Sequence, residues 1–300
     1  MARITVLGEA LVDLVGEPGG RRFRAEPGGG PANVAVGLGR LGEPVTLVTG
    51  LGDDAFGRLV EARLAASGVV ADVWRAPFTP LAVVSVDGAG VPSYDFAFAW
   101  EPPALRPPPD TAVLHTGSLA AALAADRVEA AMAAAPTATY DPNVRPPLLG
   151  ARDAERARVE RQVALSAVVK ASDEDVAWLY PGEDALAVAR RWRGLGPALV
   201  VVTRGPRGCV AVTGAGATAC PAPPVEVADT VGAGDAFMAG LLSGLRAAGL
   251  LDPARRADLA RADEAALAAP LSRATRAAAL TCARPGADPP TAAELAAPAP

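Results

Sequence analysis

The sequence holds a single histidine, His115, and three scattered cysteines, Cys209, Cys220 and Cys282. That leaves little material for a Ser-His-Asp hydrolase, a structural zinc site or a disulfide framework. Aromatic residues are scarce too, at 4%. The 51% apolar fraction therefore comes largely from small side chains, 69 of them alanine. No 18-residue charge-free run of large apolar side chains occurs, which argues against a membrane span. The start, MARITVLGEALVDL, lacks the basic stretch and separate hydrophobic segment of a cleavable signal, so cytoplasm is the expected compartment. There is no GxxxxGK[ST] pattern and no HRD with DFG, so any phosphate chemistry needs another ATP-binding solution. Cations are in slight deficit, 28 Lys+Arg against 33 Asp+Glu for a net charge of −5. This disfavours a broad nucleic-acid surface. The Arg-rich stretch RPPLLGARDAERARVER, residues 145–161, mixes both signs and reads as a solvated helix face.

What is present is an α/β rhythm. A length of 300 residues can bury a core without metal or disulfide staples. Residues 3–8 (RITVLG) and 11–15 (LVDLV) read as strands, with a short edge strand at 21–23 before Gly28, Gly29 and Gly30. PANVAVGLGRLG then reads as a helix, with Pro31 in its first turn. Within it, Gly37 to Gly42 match the dinucleotide fingerprint by letter, but they close a helix and do not follow a strand. A strand at 44–49 precedes a helix capped by Asp53 or Asp54. Residues 80–86 and 91–98 suggest an antiparallel hairpin, hence a small β-sheet appendage. Strands are expected at 112–115, 138–141, 167–170 and 199–203, with helices at 119–134, 152–165 and 185–193. An antiparallel excursion follows at 209–212 and 217–220, then helices at 235–247, 255–268 and 273–281. Alternating strands and helices must bury both faces of a mostly parallel sheet, which predicts a three-layer αβα core.

The most informative segment is DTVGAGDAF, residues 229–237. Its flexible turn, Gly232-Ala233-Gly234, lies before an apolar helical run and can aim backbone N–H groups at a phosphate, while Asp235 can take a hydroxyl proton. For such a base the required property is position. The same residues also read as a plain helix N-cap and turn. Upstream, Asp13 and the GGGPAN segment can form a polyol site: a carboxylate accepts hydrogen bonds from two hydroxyls, and Asn33 both donates and accepts. A strand-end turn for Asp13 and a local cap for Asn33 are the competing readings. Tyr94, Phe96 and Phe98 alternate along a strand and face one side, either closing on a ligand or packing the small sheet.

Three separated segments, GEALVDL (8–14), GGGPANVAVGLGRLG (28–42) and DTVGAGDAF (229–237), resemble the ribokinase-like, or PfkB, family of carbohydrate kinases. GLGDDAFG, DPNVR, VTRGPRG and TCARPGA extend the resemblance through most of the chain. It implies one kinase domain over residues 1–300, with lid segments near 12–25 and 73–100 inserted in the αβα core. It also implies ATP with Mg²⁺, and transfer of the γ-phosphoryl group to a sugar hydroxyl. By that resemblance Asp235 is the base, and Gly232, Ala233 and Gly234 form the anion hole. Asp13, Gly29, Gly30, Asn33, Tyr94, Phe96 and Arg145 lie on the sugar side, although Arg145 also reads as a surface arginine. Lys170, Ser172, Thr203, Gly205, Gly208, Gly234 and Cys282 fall on the nucleotide side. Ser172 and Asp175 stand where the family often has Asn and Glu near magnesium, so Asp175 is expected to act indirectly. A potassium site is implied near Asp229 and Val231. The resemblance is nearest to bacterial fructokinase-like members, with 2-keto-3-deoxygluconate, ribose or another small polyol as alternative acceptors. A non-catalytic sugar sensor is the reading of a different class. A homodimer through the lid sheets is a further implication.

Overall fold

A computed structural model describes residues 3–16, 22–86 and 92–297, with the side chains of 85–86 and 92–94 outside that description. Strand β1 (Arg3–Leu7) starts a large sheet, and β2 (Leu11–Gly16) and β3 (Phe23–Gly28) then leave it. The chain returns for β4 (Val45–Leu51) and β5 (Val70–Arg75), and leaves again for β6 (Leu81–Val86) and β7 (Pro92–Ala97). It comes back for β8 (Thr111–Gly117), β9 (Ala138–Asp141), β10 (Val168–Ser172), β11 (Leu199–Thr203), β12 (Cys209–Thr213) and β13 (Gly216–Cys220). The nine-stranded order is β13-β12-β11-β10-β9-β8-β1-β4-β5, and a second sheet runs β3-β2-β6-β7. Strands β11 through β5 in that order are parallel, so their carboxyl ends share one edge. Ligands of open α/β sheets bind outside that edge.

The apolar runs need two cores, because successive strand residues point to opposite faces. Ile4 and Val6 enter one core and Leu7 the other; Val201 enters the first and Val200 and Val202 the second. Helices Gly30–Arg40, Ala233–Ala247 and Glu264–Cys282 cover the first face. Arg152–Ala164 and Ala185–Leu195 cover the second. The result is the expected αβα core with a small sheet. Among the described residues no helix is long and apolar enough to cross a membrane.

Several expectations change in detail. The edge strand expected at 21–23 runs instead from Phe23 to Gly28, directly into the glycines. Val70–Arg75, unassigned from sequence, is the edge of the large sheet, so residues 73–75 belong to the body. The helix expected over 119–134 breaks at Ala124 into Ser118–Leu123 and Ala125–Ala134. The helix expected over 255–268 breaks after a short helix, Arg256–Ala260, and its remainder joins the one expected at 273–281 across Pro270 as Glu264–Cys282. Proline removes one helix hydrogen bond, but here Pro270 packs on Gly244, where a Cβ would come within 2.7 Å of its Cα. In the Arg-rich helix, Arg158 is buried and holds Glu155, Gln162, the Tyr140 hydroxyl and the Ala121 carbonyl, so that helix is only partly a solvated face.

The GLGDDAFG segment ties the small sheet to the body. Asp54 caps the helix Ala55–Ala66 through Gly57 N–H at 2.8 Å, and accepts from both the backbone N–H and the hydroxyl of Thr79, just before β6. Against the cost of its burial, these bonds hold the Asp54 carboxyl below its ordinary range.

Candidate active site

The helix Ala233–Ala247 begins at the carboxyl edge of the sheet, on Gly232 with φ of +75° and ψ of 0°. Only glycine enters that left-handed region without a Cβ penalty. First-turn amides have no intrahelical partner. That of Ala233 donates to the Thr230 carbonyl at 3.2 Å, and those of Gly234 and Asp235 stand in the first turn, at the positive end of the helix dipole. The predicted three-residue cradle is thus narrower at Ala233 than its sequence implies.

Asp235 sits in the first turn of that helix, 9% exposed, and accepts from Asn33 Nδ2 at 2.9 Å. Asn33 lies in the helix that GGGPAN opens, with Gly29 at φ of +98° before it. Two sequence segments 202 positions apart therefore meet side chain to side chain. Burial pushes the Asp235 carboxyl up to about 6, against the pull of Asn33, Lys170 and Arg145. Asp13, on β2 of the small sheet, is pushed to about 6 by burial, with Arg145 and Arg63 opposing and Glu26 adding to the rise. Gly28 faces it so closely that a Cβ would lie 2.3 Å from Asp13 Oδ2.

One cleft at the sheet edge is bordered by Gly30, Pro31, Val34, His115, Ser118, Asp141, Asn143 and Asp235. His115 is buried there against Thr139 Oγ1 at 3.0 Å and is pushed down to about 3, chiefly by burial and then by Lys170. It stays neutral and packs.

Four further residues converge here that the sequence reading left without this role. Glu9 is buried and takes the Ala120 N–H at 2.9 Å; burial raises its carboxyl to about 7. Ser118, at φ of +56°, and Asn143, at φ of +41°, stand just past the ends of β8 and β9. Asp141 accepts from Lys170 Nζ at 2.6 Å, both groups being 3% exposed. Although burial disfavours its charge, Asp141 holds the Lys170 ammonium above its ordinary value. Lys170 Nζ also reaches the Gly234 carbonyl at 3.4 Å, joining β10 to the helix start. A sequence signal for this position exists: Lys170 is the only lysine in the chain. The other Asp141 oxygen, Oδ1, is buried without a protein partner.

The remaining expected residues lie on several elements. Phe96 is half-buried on β7, and the Tyr94 side chain lies outside the described residues. Phe98 packs against the core face, so the aromatic alternation serves packing there. Arg145 is exposed, and its Nη1 donates to Asn143 Oδ1 at 2.7 Å. Ser172 and Asp175 close a capping box on the helix Asp173–Leu179, which the sequence reading missed. Asp175 Oδ2 takes the Ser172 N–H and hydroxyl, and Oδ1 takes the Val144 N–H at 2.7 Å. Three of its roughly four acceptor positions are therefore engaged. Thr203, Gly205 and Gly208 lie at and after the end of β11, with φ of +54° at Gly205 and +79° at Gly208. Cys282 contributes its carbonyl, which accepts from Ala228 and Asp229 N–H. Asp229 in turn accepts from Val231 N–H at 3.0 Å and Gly286 N–H at 2.8 Å, tying the DTVGAGD loop to the late TCARPGA segment.

With this geometry in view, the comparisons with known proteins are specific. The family model described as pfkB family carbohydrate kinase matches residues 1–293. The fructokinase of Klebsiella pneumoniae is 37% identical over 268 residues, covering 83% of this chain and 86% of that protein. A fructokinase from Xylella fastidiosa, solved with bound ATP, superposes with a TM-score of 0.83 at 29% identity, covering 98% of this chain and 97% of that one. A fructokinase variant from Vibrio cholerae O395, solved in a fructose-, ADP- and potassium-bound form, gives a TM-score of 0.79 at 28% identity, covering 96% and 94% of the two chains.

Proposed function

The chain belongs to the pfkB family of carbohydrate kinases and is an ATP-dependent sugar kinase; from that premise we propose that its acceptor is fructose and that Asp235 is the base. The observation that carries the reading is the meeting of Asp235 with Asn33 beside the first-turn amides of its own helix. An acceptor hydroxyl held there faces a carboxylate on one side and a phosphate cradle on the other.

In this reading Asp13, from the small sheet, accepts hydrogen bonds from sugar hydroxyls. Asp235 takes the proton of the attacking hydroxyl as the oxygen bonds to the γ-phosphorus, and ADP leaves. The amides of Gly234 and Asp235, with the helix dipole behind them, stabilise charge on the transferring group. Magnesium, when bound with ATP, neutralises phosphate charge. The engaged oxygens of Asp175 suit a water-mediated link to it better than direct ligation. Backbone carbonyls beside Asp229 and Val231 offer the oxygen donors that a potassium ion takes, and Asp229 already ties the two loops that would hold it. We place the reaction in the cytoplasm, and take a homodimer through the small sheets as the working assembly.

Fructose is favoured over 2-keto-3-deoxygluconate by the likeness to the fructokinases of Klebsiella pneumoniae and Xylella fastidiosa. An ADP-release assay over fructose, ribose and 2-keto-3-deoxygluconate, with product identification, is expected to rank fructose first. ADP release with the sugar acid alone would overturn the choice, and sugar binding without ADP would support the sensor.

Because Asp235 and Asp13 both take up protons near pH 6, kcat/KM for the sugar is expected to fall as pH drops below about 6. Below both values the fall approaches two powers of ten per pH unit, since both carboxylates must be ionised. A profile flat down to pH 5 would remove both from the working site, and a fall of only one power of ten per pH unit would remove one of them.

A further inference from the structure

Asn143 sits in the middle of DPNVR, where no role was assigned to it. Its φ of +41° and the φ of +56° at Ser118 put two non-glycine residues in the left-handed region, at the ends of neighbouring strands and bordering the cleft of Asp235. Such conformations are uncommon for residues with a side chain and persist where the surroundings enforce them.

The enforcement is visible on both sides of Asn143. Arg145 Nη1 donates to Asn143 Oδ1 at 2.7 Å and to the carbonyls of Asn143 and Val144, each at 3.1 Å. The next residue, Val144, donates its N–H to Asp175 Oδ1 at 2.7 Å. A guanidinium has only donors, so the oxygen end of the Asn143 amide faces Arg145 and the NH₂ end faces the cleft. There its protein acceptor is Ser118 Oγ at 3.4 Å, long for an N–H···O bond. Asn143 Nδ2 lies 2.7 Å from the point where a Cβ on Gly30 would stand, and Asp235 Oδ1 lies 3.5 Å from that same point. A donor and an acceptor thus face one space, which any side chain at position 30 would fill.

We propose that Asn143 is a specificity-determining residue for the acceptor: its Nδ2 donates to the sugar oxygen adjoining the hydroxyl that attacks, and Arg145 is a positioning residue that acts by orienting this amide. The proposal rests on the sugar-kinase reading above. It predicts that the acceptor needs an oxygen, not a bare CH₂, beside the reacting hydroxyl, because a donor covered by the bound sugar and left unmatched is costly.

The test is steady-state kinetics, with the sugar that the unmutated protein phosphorylates best, on Asn143→Asp, Asn143→Gly, Arg145→Ala and the double variant Asn143→Gly with Arg145→Ala. Asn143→Asp keeps the shape and removes the donor. Asn143→Gly removes the side chain and relieves the backbone, so its Tm is expected to hold or rise. The KM for sugar is expected to rise tenfold or more in both, with the KM for ATP within twofold. At pH 8, where Asp235 and Asp13 stay ionised without the Arg145 charge, Arg145→Ala is expected to raise the sugar KM alone but to add little once Asn143 is gone. A sugar KM unchanged in Asn143→Gly, or losses at Asn143 and Arg145 that add in full, would overturn the proposal. Failure of the kinase reading is read separately, on the unmutated protein, as absence of ADP release with every sugar.

Discussion

Replacing Asp235 with asparagine is expected to lower kcat by about 10²- to 10⁴-fold, the usual range for loss of a general base. The fold should survive the change. The carboxylate accepts one side-chain bond, from Asn33 Nδ2, and the oxygen of an asparagine amide can accept the same bond. The Asp235 backbone N–H, part of the phosphate cradle, is untouched, so nucleotide affinity measured by calorimetry should stay within a few fold. The substitution therefore separates the proton step from phosphate binding. Near-normal turnover in the folded variant would remove Asp235 as base, and a parallel collapse of nucleotide affinity would assign it to the cradle instead.

The second large effect concerns the buried pair Lys170 and Asp141. Lys170→Met removes the ammonium 2.6 Å from a carboxylate that is 3% exposed, leaving an uncompensated buried charge. Breaking such a pair from one side costs about 3–5 kcal/mol, so Tm is expected to fall by roughly 10 °C. Asp235 should feel the loss too, because Lys170 is one of the groups holding its proton affinity down. The acid limb of kcat/KM should therefore move to higher pH. Combining Lys170→Met with Asp141→Leu replaces the pair by apolar groups and is expected to return most of the stability. Unchanged Tm in the single variant would show that the pair is not the electrostatic unit its geometry describes.

Much of the fold was legible because its signals are local. Residues 167–170 and 199–203 read as strands from short runs whose valines and Leu199 feed both cores. The elements that escaped are those where local chemistry points elsewhere. Val70–Arg75 is an exposed edge with Asp72 inside it. Asp173–Leu179 is only seven residues long and opens on three acids in its first turn. Pro270 spoke for a break, and a tertiary contact with Gly244 overrides it.

The candidate site divides in the same way. DTVGAGD and GGGPAN were readable because turn, cradle and acid are contiguous in sequence. Glu9, Ser118, Asp141 with Asn143, and Lys170 belong to four separate segments brought together by the order β10-β9-β8-β1, and no periodicity reports such a meeting. Arg145 shows the limit from the other side. Its presence was noticed, but its partner, the amide two residues earlier, emerges only from the turn that Asn143 makes.

The single lysine has a practical consequence. Every other side-chain cation in the chain is a guanidinium, and the one ammonium is enclosed beside Asp141 and Gly234. Amine-directed dyes, cross-linkers and immobilisation resins therefore find no side-chain target on the described surface. Isotopic labelling of lysine would place one spectroscopic reporter in the molecule, already seated next to the helix start where nucleotide phosphates are proposed to bind.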